Sequence, residues 1–211
     1  MRRRLKPWLF LLCLLPLAWL LARAFGLAGA GLGANPIDAI QDSLGQWGLR
    51  LLLVTLCVTP LATTLRAPWL FGVRRMLGLY AFTYVTLHFA NWLVLDRWFD
   101  GTAIAADLAK RPYITAGFAA FAMLVPLAMT STDGWMRRLG RRWHALHRLV
   151  YPAAILGVMH YWWQVKADWR EPLLYAVVLA ALLGWRMRRA WVRRAATARA
   201  PMSAPSRSPA A

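Results

Sequence analysis

Six long apolar runs, each bracketed by charged residues, constrain this chain more than any other feature. They cover about residues 8–25, 44–65, 76–95, 112–131, 143–165 and 173–187. Most are long enough to cross a hydrocarbon layer of ~30 Å as a helix rising 1.5 Å per residue. None shows the strict alternation of a strand, and only helices or closed barrels satisfy their backbone inside lipid. The expected fold class is therefore all-α: a polytopic membrane protein with a six-helix transmembrane bundle. Residues 1–190 form that domain, and 191–211, rich in Ala, Pro, Ser and Arg, read as a basic disordered cytoplasmic tail. The first run follows MRRRLK, a pattern shared with cleavable signal peptides. Because the rest of the chain is itself polytopic, the run is read as a retained first span.

Charge sets the orientation. The chain has 26 Lys and Arg against 8 Asp and Glu, a net charge of +18. Such a balance suits either a nucleic-acid binder or a membrane protein with basic loops on one side. The arginines sit in short clusters between uncharged runs, which excludes the nucleic-acid class. With the N-terminus inside, most of the basic residues fall in inner segments: 2–6, 66–75, 137–148 and 186–207. Of the acidic residues only Asp133 does. The positive-inside rule thus places both termini in the cytoplasm. The two cysteines, Cys13 and Cys57, lie in apolar runs without a CxxC and read as small buried residues. The glycine-rich GLAGAGLGAN at 26–35 lacks the Lys-Ser/Thr of a phosphate-binding loop and reads as a connector.

An ionisable side chain at membrane depth is a functional candidate by default. His88 lies 13 residues after Arg75, and His160 lies 12 after Arg148. Both positions are ~18–20 Å from the inner surface on helices running the same way. Two imidazoles at one depth on neighbouring helices are what axial ligation of a haem b in a bundle requires. The plainer reading, a hydrogen bond from each histidine to a neighbouring helix, stands beside it. His147 lies at the inner interface, where its counterpart on the third helix would be Arg74 or Arg75. It marks a second haem with an unusual ligand, or another inner-side cofactor. His144, in the headgroup zone, reads as solvated. Trp143, Trp162, Trp163, Trp169 and Trp185 lie at helix ends, as interfacial anchors do. No nucleophile–base pair or carboxylate cluster suggests catalysis of its own.

The segments GLGANPI, RRMLGLYAFTYVTLH, KRPYITAGF, LAMTST and LGRRWHALHRLVYPAAILGVMHYWW occur in this order. Together they resemble the MsrQ (YedZ) family of haem-binding membrane subunits, in the ferric-reductase-like transmembrane group. The resemblance implies an inner-membrane b-type cytochrome, with one haem b or two, that also carries FMN. It implies electron transfer to a periplasmic molybdopterin subunit, MsrP, for repair of methionine sulfoxide in proteins. The donor would be the quinone pool or a cytoplasmic flavin reductase. The family's histidines fall on His88, His147 and His160; no motif fixes the FMN contacts. Related ferric reductases and NADPH oxidases append a dinucleotide-binding domain, whereas the 26 residues after Trp185 hold no βαβ pattern and no GxGxxG. Separate partners are therefore expected to supply and accept the electrons. The competing readings are a stand-alone ferric or quinone reductase, a histidine-using transporter and a structural or assembly factor.

Overall fold

The computed structural model describes residues 2–165 and 167–199, and among these every regular element is helical. Helix α1 spans Arg2–Ala24, and α2 spans Pro36–Thr64. The connector between them turns on left-handed glycines at 26, 29, 31 and 33, and the Arg23 guanidinium donates to the Gly31 carbonyl at 2.6 Å. Helix α2 begins eight residues before its apolar run does. Pro36 occupies its first turn, where a missing N–H costs nothing, and the Asn35 side chain accepts from Asp38 N. A short 3₁₀ turn, Pro68–Leu70, leads into α3, Phe71–Ala90, which continues as a π-helical turn over Asn91–Asp96.

The charged stretch 96–111, which the sequence alone reads as the longest internal polar loop, contains α4, Gly101–Lys110. The Asp100 carboxylate caps it, accepting from Thr102 N and Ala103 N. Helix α5, Pro112–Met129, again starts on a proline. The basic segment after it folds α6, Asp133–Leu139, capped by Thr132 and stopped by Gly140 at a φ of 48°. Then come α7, Arg141–Leu146, a 3₁₀ turn over His147–Leu149, and α8, Val150–Gln164. The break between α7 and α8 follows from Pro152, which has no N–H for the Arg148 carbonyl and crowds the turn before it. Helix α9, Arg170–Arg199, runs past the expected boundary at 187. The remainder of the expected tail, 200–211, lies outside the described residues.

Helix α2 packs along α3, and α5 along α8. Close approach comes from glycine: a Cβ on Gly48 would stand 2.7 Å from Val85 Cγ2. Helix α1 is tied to α3 by Tyr84, one of the largest fully buried side chains. Its hydroxyl donates to the Cys13 carbonyl at 2.8 Å and accepts from Leu17 N at 3.0 Å. It thus stands between a donor and an acceptor that would ordinarily pair with each other. Cys13 is buried and Cys57 half-buried, and both are free thiols. In α2, Pro60 leaves the Leu56 carbonyl without its helical donor; Arg186 of α9 supplies one at 2.6 Å.

Among the described residues three helices are long and apolar enough to cross a membrane by length and composition: Lys6–Ala24, Pro36–Thr64 and Pro112–Met129. The other three apolar runs lie in α3, α8 and α9. Helix α3 includes Arg74 and Arg75, α8 has 15 residues, and the second half of α9 is basic. Trp8, Leu12, Leu15 and Trp19 of α1 and Leu174 and Val177 of α9 are exposed. Apolar surface on this scale belongs in lipid, so the chain is a membrane protein.

Candidate functional site

Helices α2, α3, α5 and α8 enclose a cavity of about 400 Å³, within the usual size range of cofactor sites. His88 of α3 and His160 of α8 both line it, their ring centroids 6.0 Å apart and their planes at 80°. Each imidazole is oriented in the same way. His88 Nδ1 donates to the Gln41 carbonyl at 2.9 Å, and His160 Nδ1 donates to the Tyr113 carbonyl at 2.7 Å. In both cases acceptor and histidine are 47 residues apart. A carbonyl can only accept, so Nδ1 carries the proton and Nε2 is left as the lone-pair nitrogen in each ring.

Each ring also lies against a glycine of the facing helix. A Cβ on Gly45 would meet His88 Nδ1 and Cε1 at 2.9 Å; one on Gly117 would meet His160 Nδ1 at 2.8 Å. No other residue leaves room for the imidazoles where they are. The remaining wall is apolar or aromatic. Phe89 packs on Phe121 at 4.7 Å and on Phe118 at 6.0 Å, and Leu49, Leu52 and Leu124 close the deep end. Asn91 donates to Gln41 Oε1 at 2.7 Å, which fixes the Gln41 amide so that its nitrogen faces His88 Nε2 at 3.4 Å.

This donor set fits a haem iron. Neutral imidazoles with Nδ1 held by backbone carbonyls present Nε2 for ligation, and such a hydrogen bond also sets ligand orientation and basicity. The apolar lining suits the macrocycle. Only the long contact from Gln41 would have to give way.

His147 lies elsewhere, on a second cavity of about 900 Å³ lined also by Lys6, Arg74, Arg75 and Trp143. Its ring stacks on Trp143 at 3.8 Å, and Nδ1 donates to the Trp143 carbonyl at 3.1 Å. Nε2 is buried without a partner among the described residues. No histidine faces it; the cations of α3 do. His144 is exposed. Trp162, Trp163 and Trp169 are exposed as well, and Trp143 is half-buried, donating from Nε1 to the Thr130 carbonyl. Reading the sequence for ionisable groups misses Gly45, Gly117, Gln41 and Tyr113. One signal was there: in each half a glycine inside an apolar run precedes the histidine by the same 43 residues, from 45 to 88 and from 117 to 160.

The ferric reductase like transmembrane component family matches residues 44–158, a span that holds Gly45, His88, Gly117 and His147 and stops just short of His160. The protein-methionine-sulfoxide reductase heme-binding subunit MsrQ of Xanthomonas axonopodis pv. citri is 50% identical over 183 residues, covering 87% of this chain and 84% of that protein. The subunit of the same name from Rhodospirillum rubrum is 54% identical over 195 residues, 91% of each chain. That of Xanthomonas campestris pv. campestris is 53% identical over 168 residues, 80% of this chain and 77% of the relative. No solved structure matches. At these identities, over most of both lengths, the chain belongs to the MsrQ family within the ferric-reductase-like transmembrane group.

Proposed function

We propose that the chain is a b-type cytochrome subunit that conducts electrons across the bacterial inner membrane to a periplasmic methionine-sulfoxide reductase. The observation that carries this reading is the facing pair His88 and His160, each with Nδ1 on a backbone carbonyl and its ring against a glycine. These two residues would hold a haem b, which when bound supplies reversible one-electron transfer. The chain's own part is to fix both tautomers, hold the two rings within 6.0 Å of each other and exclude water with Leu, Phe and Ala side chains. Six spans with both termini cytoplasmic agree with the inward bias of the arginines. On that topology the His88–His160 cavity would lie in the periplasmic half, a position that suits delivery to MsrP, the molybdopterin subunit.

The His147 cavity would then face the cytoplasmic side and the donor, the quinone pool or a flavin reductase. With one imidazole and a cationic wall it suits a phosphate-bearing cofactor such as FMN as well as a second haem. The buried, unpartnered Nε2 of His147 favours some occupant there over none.

The purified protein in lipid nanodiscs, reduced anaerobically, tests the reading. With a catalytic amount of MsrP it should reoxidise fully and rapidly only when a methionine-sulfoxide peptide is also added. Equal reoxidation by ferric citrate or a quinone alone, with no response to MsrP, would instead favour a stand-alone reductase. A protein with no visible absorption would favour a transporter.

A further inference from the structure

The His88–His160 cavity has two ends of unlike chemistry. The deep end is walled by Leu49, Leu52, Leu124 and Ala153, whereas the opposite rim carries Trp92, Arg97 and Arg111. Trp92 belongs to the π-helical turn that ends α3, a type of winding concentrated at functional sites. Its indole Nε1 is buried and has no acceptor among the described residues. An indole N–H can only donate, and leaving a buried donor unpaired is costly.

The two arginines are held side by side by one buried carboxylate. Asp107 of α4 accepts from Arg97 Nε at 2.5 Å and faces Arg111 Nε at 3.3 Å. Arg97 also reaches Asp96 at 3.5 Å through Nη2. A guanidinium has five N–H donors. Among the described contacts Arg111 engages only Nε, and Arg97 keeps Nη1 free. Arg50, in the same half, does not line the cavity; Tyr175, Gln46 and Glu171 occupy it. On the α2 side the rim carries Asp38 and Asp42, which would repel an anion.

We propose that Trp92 Nε1, Arg97 and Arg111 bind the propionate edge of the haem, with Asp107 as the positioning residue for both arginines. The proposal rests on the haem reading above and adds which way round the macrocycle sits. A planar ligand with one hydrocarbon edge and one edge bearing two carboxylates matches a cavity with one leucine-lined end and one end carrying the remaining donors, Arg97 Nη1, the Arg111 Nη groups and Trp92 Nε1. Paired N–H groups on a carboxylate are among the stronger hydrogen bonds available, and they add directional selectivity.

The full-length chain, produced without haem in detergent, is titrated with protohaem and with protohaem dimethyl ester, following the Soret band. The unmutated chain should bind protohaem about tenfold or more tightly than the ester, on the scale of a hydrogen bond to a charged group. Arg97→Gln, Arg111→Gln and Trp92→Phe should each weaken protohaem about tenfold and leave ester affinity unchanged. Arg111 is half-exposed, so its variant is the least disruptive to folding, and helical circular dichroism checks all three. The midpoint potential of the bound haem should fall in both arginine variants, because a nearby cation that favours the reduced form is gone. Equal binding of the two forms by the unmutated chain would overturn the orientation alone. So would variants that lose both forms alike, which marks a packing role. No Soret complex with either form would overturn the haem reading and this proposal with it.

Discussion

The two cavities line the same helix bundle and differ in what faces each imidazole. In the first, His88 and His160 look at one another across 6.0 Å, each ring against a glycine and each Nδ1 on a backbone carbonyl. In the second, His147 stacks on Trp143 and shares the cavity with Arg74 and Arg75 of α3. The helices differ in the same sense along their lengths. Near the histidine pair α2 and α5 carry Gly45, Gly48 and Gly117; at their other ends they carry Pro60 and Pro126. Glycine lets side chains and neighbouring helices approach closely. Proline frees carbonyls that other residues must cap, as Arg186 does for Leu56. A single imidazole is not enough for the clamp proposed here; what distinguishes the first cavity is the set of small groups that let two rings oppose each other.

The comparison can be broken most forcefully at the glycines. Gly117→Ala and Gly45→Ala should each cost most of the bound haem, because the new Cβ would stand under 3.0 Å from a buried imidazole. Gly78→Ala, whose Cβ would meet only Thr55 Cγ2 at 3.6 Å, should keep it. Haem per protein, by pyridine haemochrome assay, reads all three. Full haem in the first two would show that the rings move freely, and the contrast would fail.

The next largest effect belongs to the proline end. Arg186→Leu should destabilise the protein by about 1–3 kcal/mol, the scale of an orphaned buried carbonyl. Adding Pro60→Ala should recover part of the loss by restoring the helical donor for Leu56. Thermal unfolding in detergent measures both, and additive costs would refute the capping. A smaller effect is expected of His147→Phe. It should leave the low-spin spectrum of the first cavity unchanged and remove only whatever haem or flavin the second cavity holds. The smallest is expected of Asp133→Asn. The hydrogen bond from Arg75 holds the Asp133 carboxyl below its ordinary range, so its stabilisation is present above about pH 4 and lost as pH falls through the lowered value. Both partners are exposed, so the melting temperature at pH 7 should be nearly unchanged, and what difference there is should shrink as salt is added.

The helices were legible in the sequence as long apolar runs, although among the described residues only three are long and apolar enough to cross a membrane by length and composition. The pairing of His88 with His160 followed from equal depth, and the isolation of His147 from the arginines opposite it. What stayed hidden depends on contacts between helices. Nothing local shows that Gly45 and Gly117 sit under imidazoles, or that the Gln41 and Tyr113 carbonyls receive them. Helix α4 was hidden because its charges read as loop, although Asp100 before Gly101 and Thr102 is a capping pattern. The π-helical turn at Asn91–Asp96 has no such sequence signal, and it brings Trp92 to the rim.

The most direct test of the two-histidine clamp is the reduced-minus-oxidised absorption spectrum of the purified protein beside His88→Ala, His160→Ala and His147→Ala. The unmutated protein should show the sharp α-band of a six-coordinate b-type haem. His88→Ala and His160→Ala should each lose it, and His147→Ala should retain it. Wild-type haem content and spectrum in both His88→Ala and His160→Ala would contradict the account.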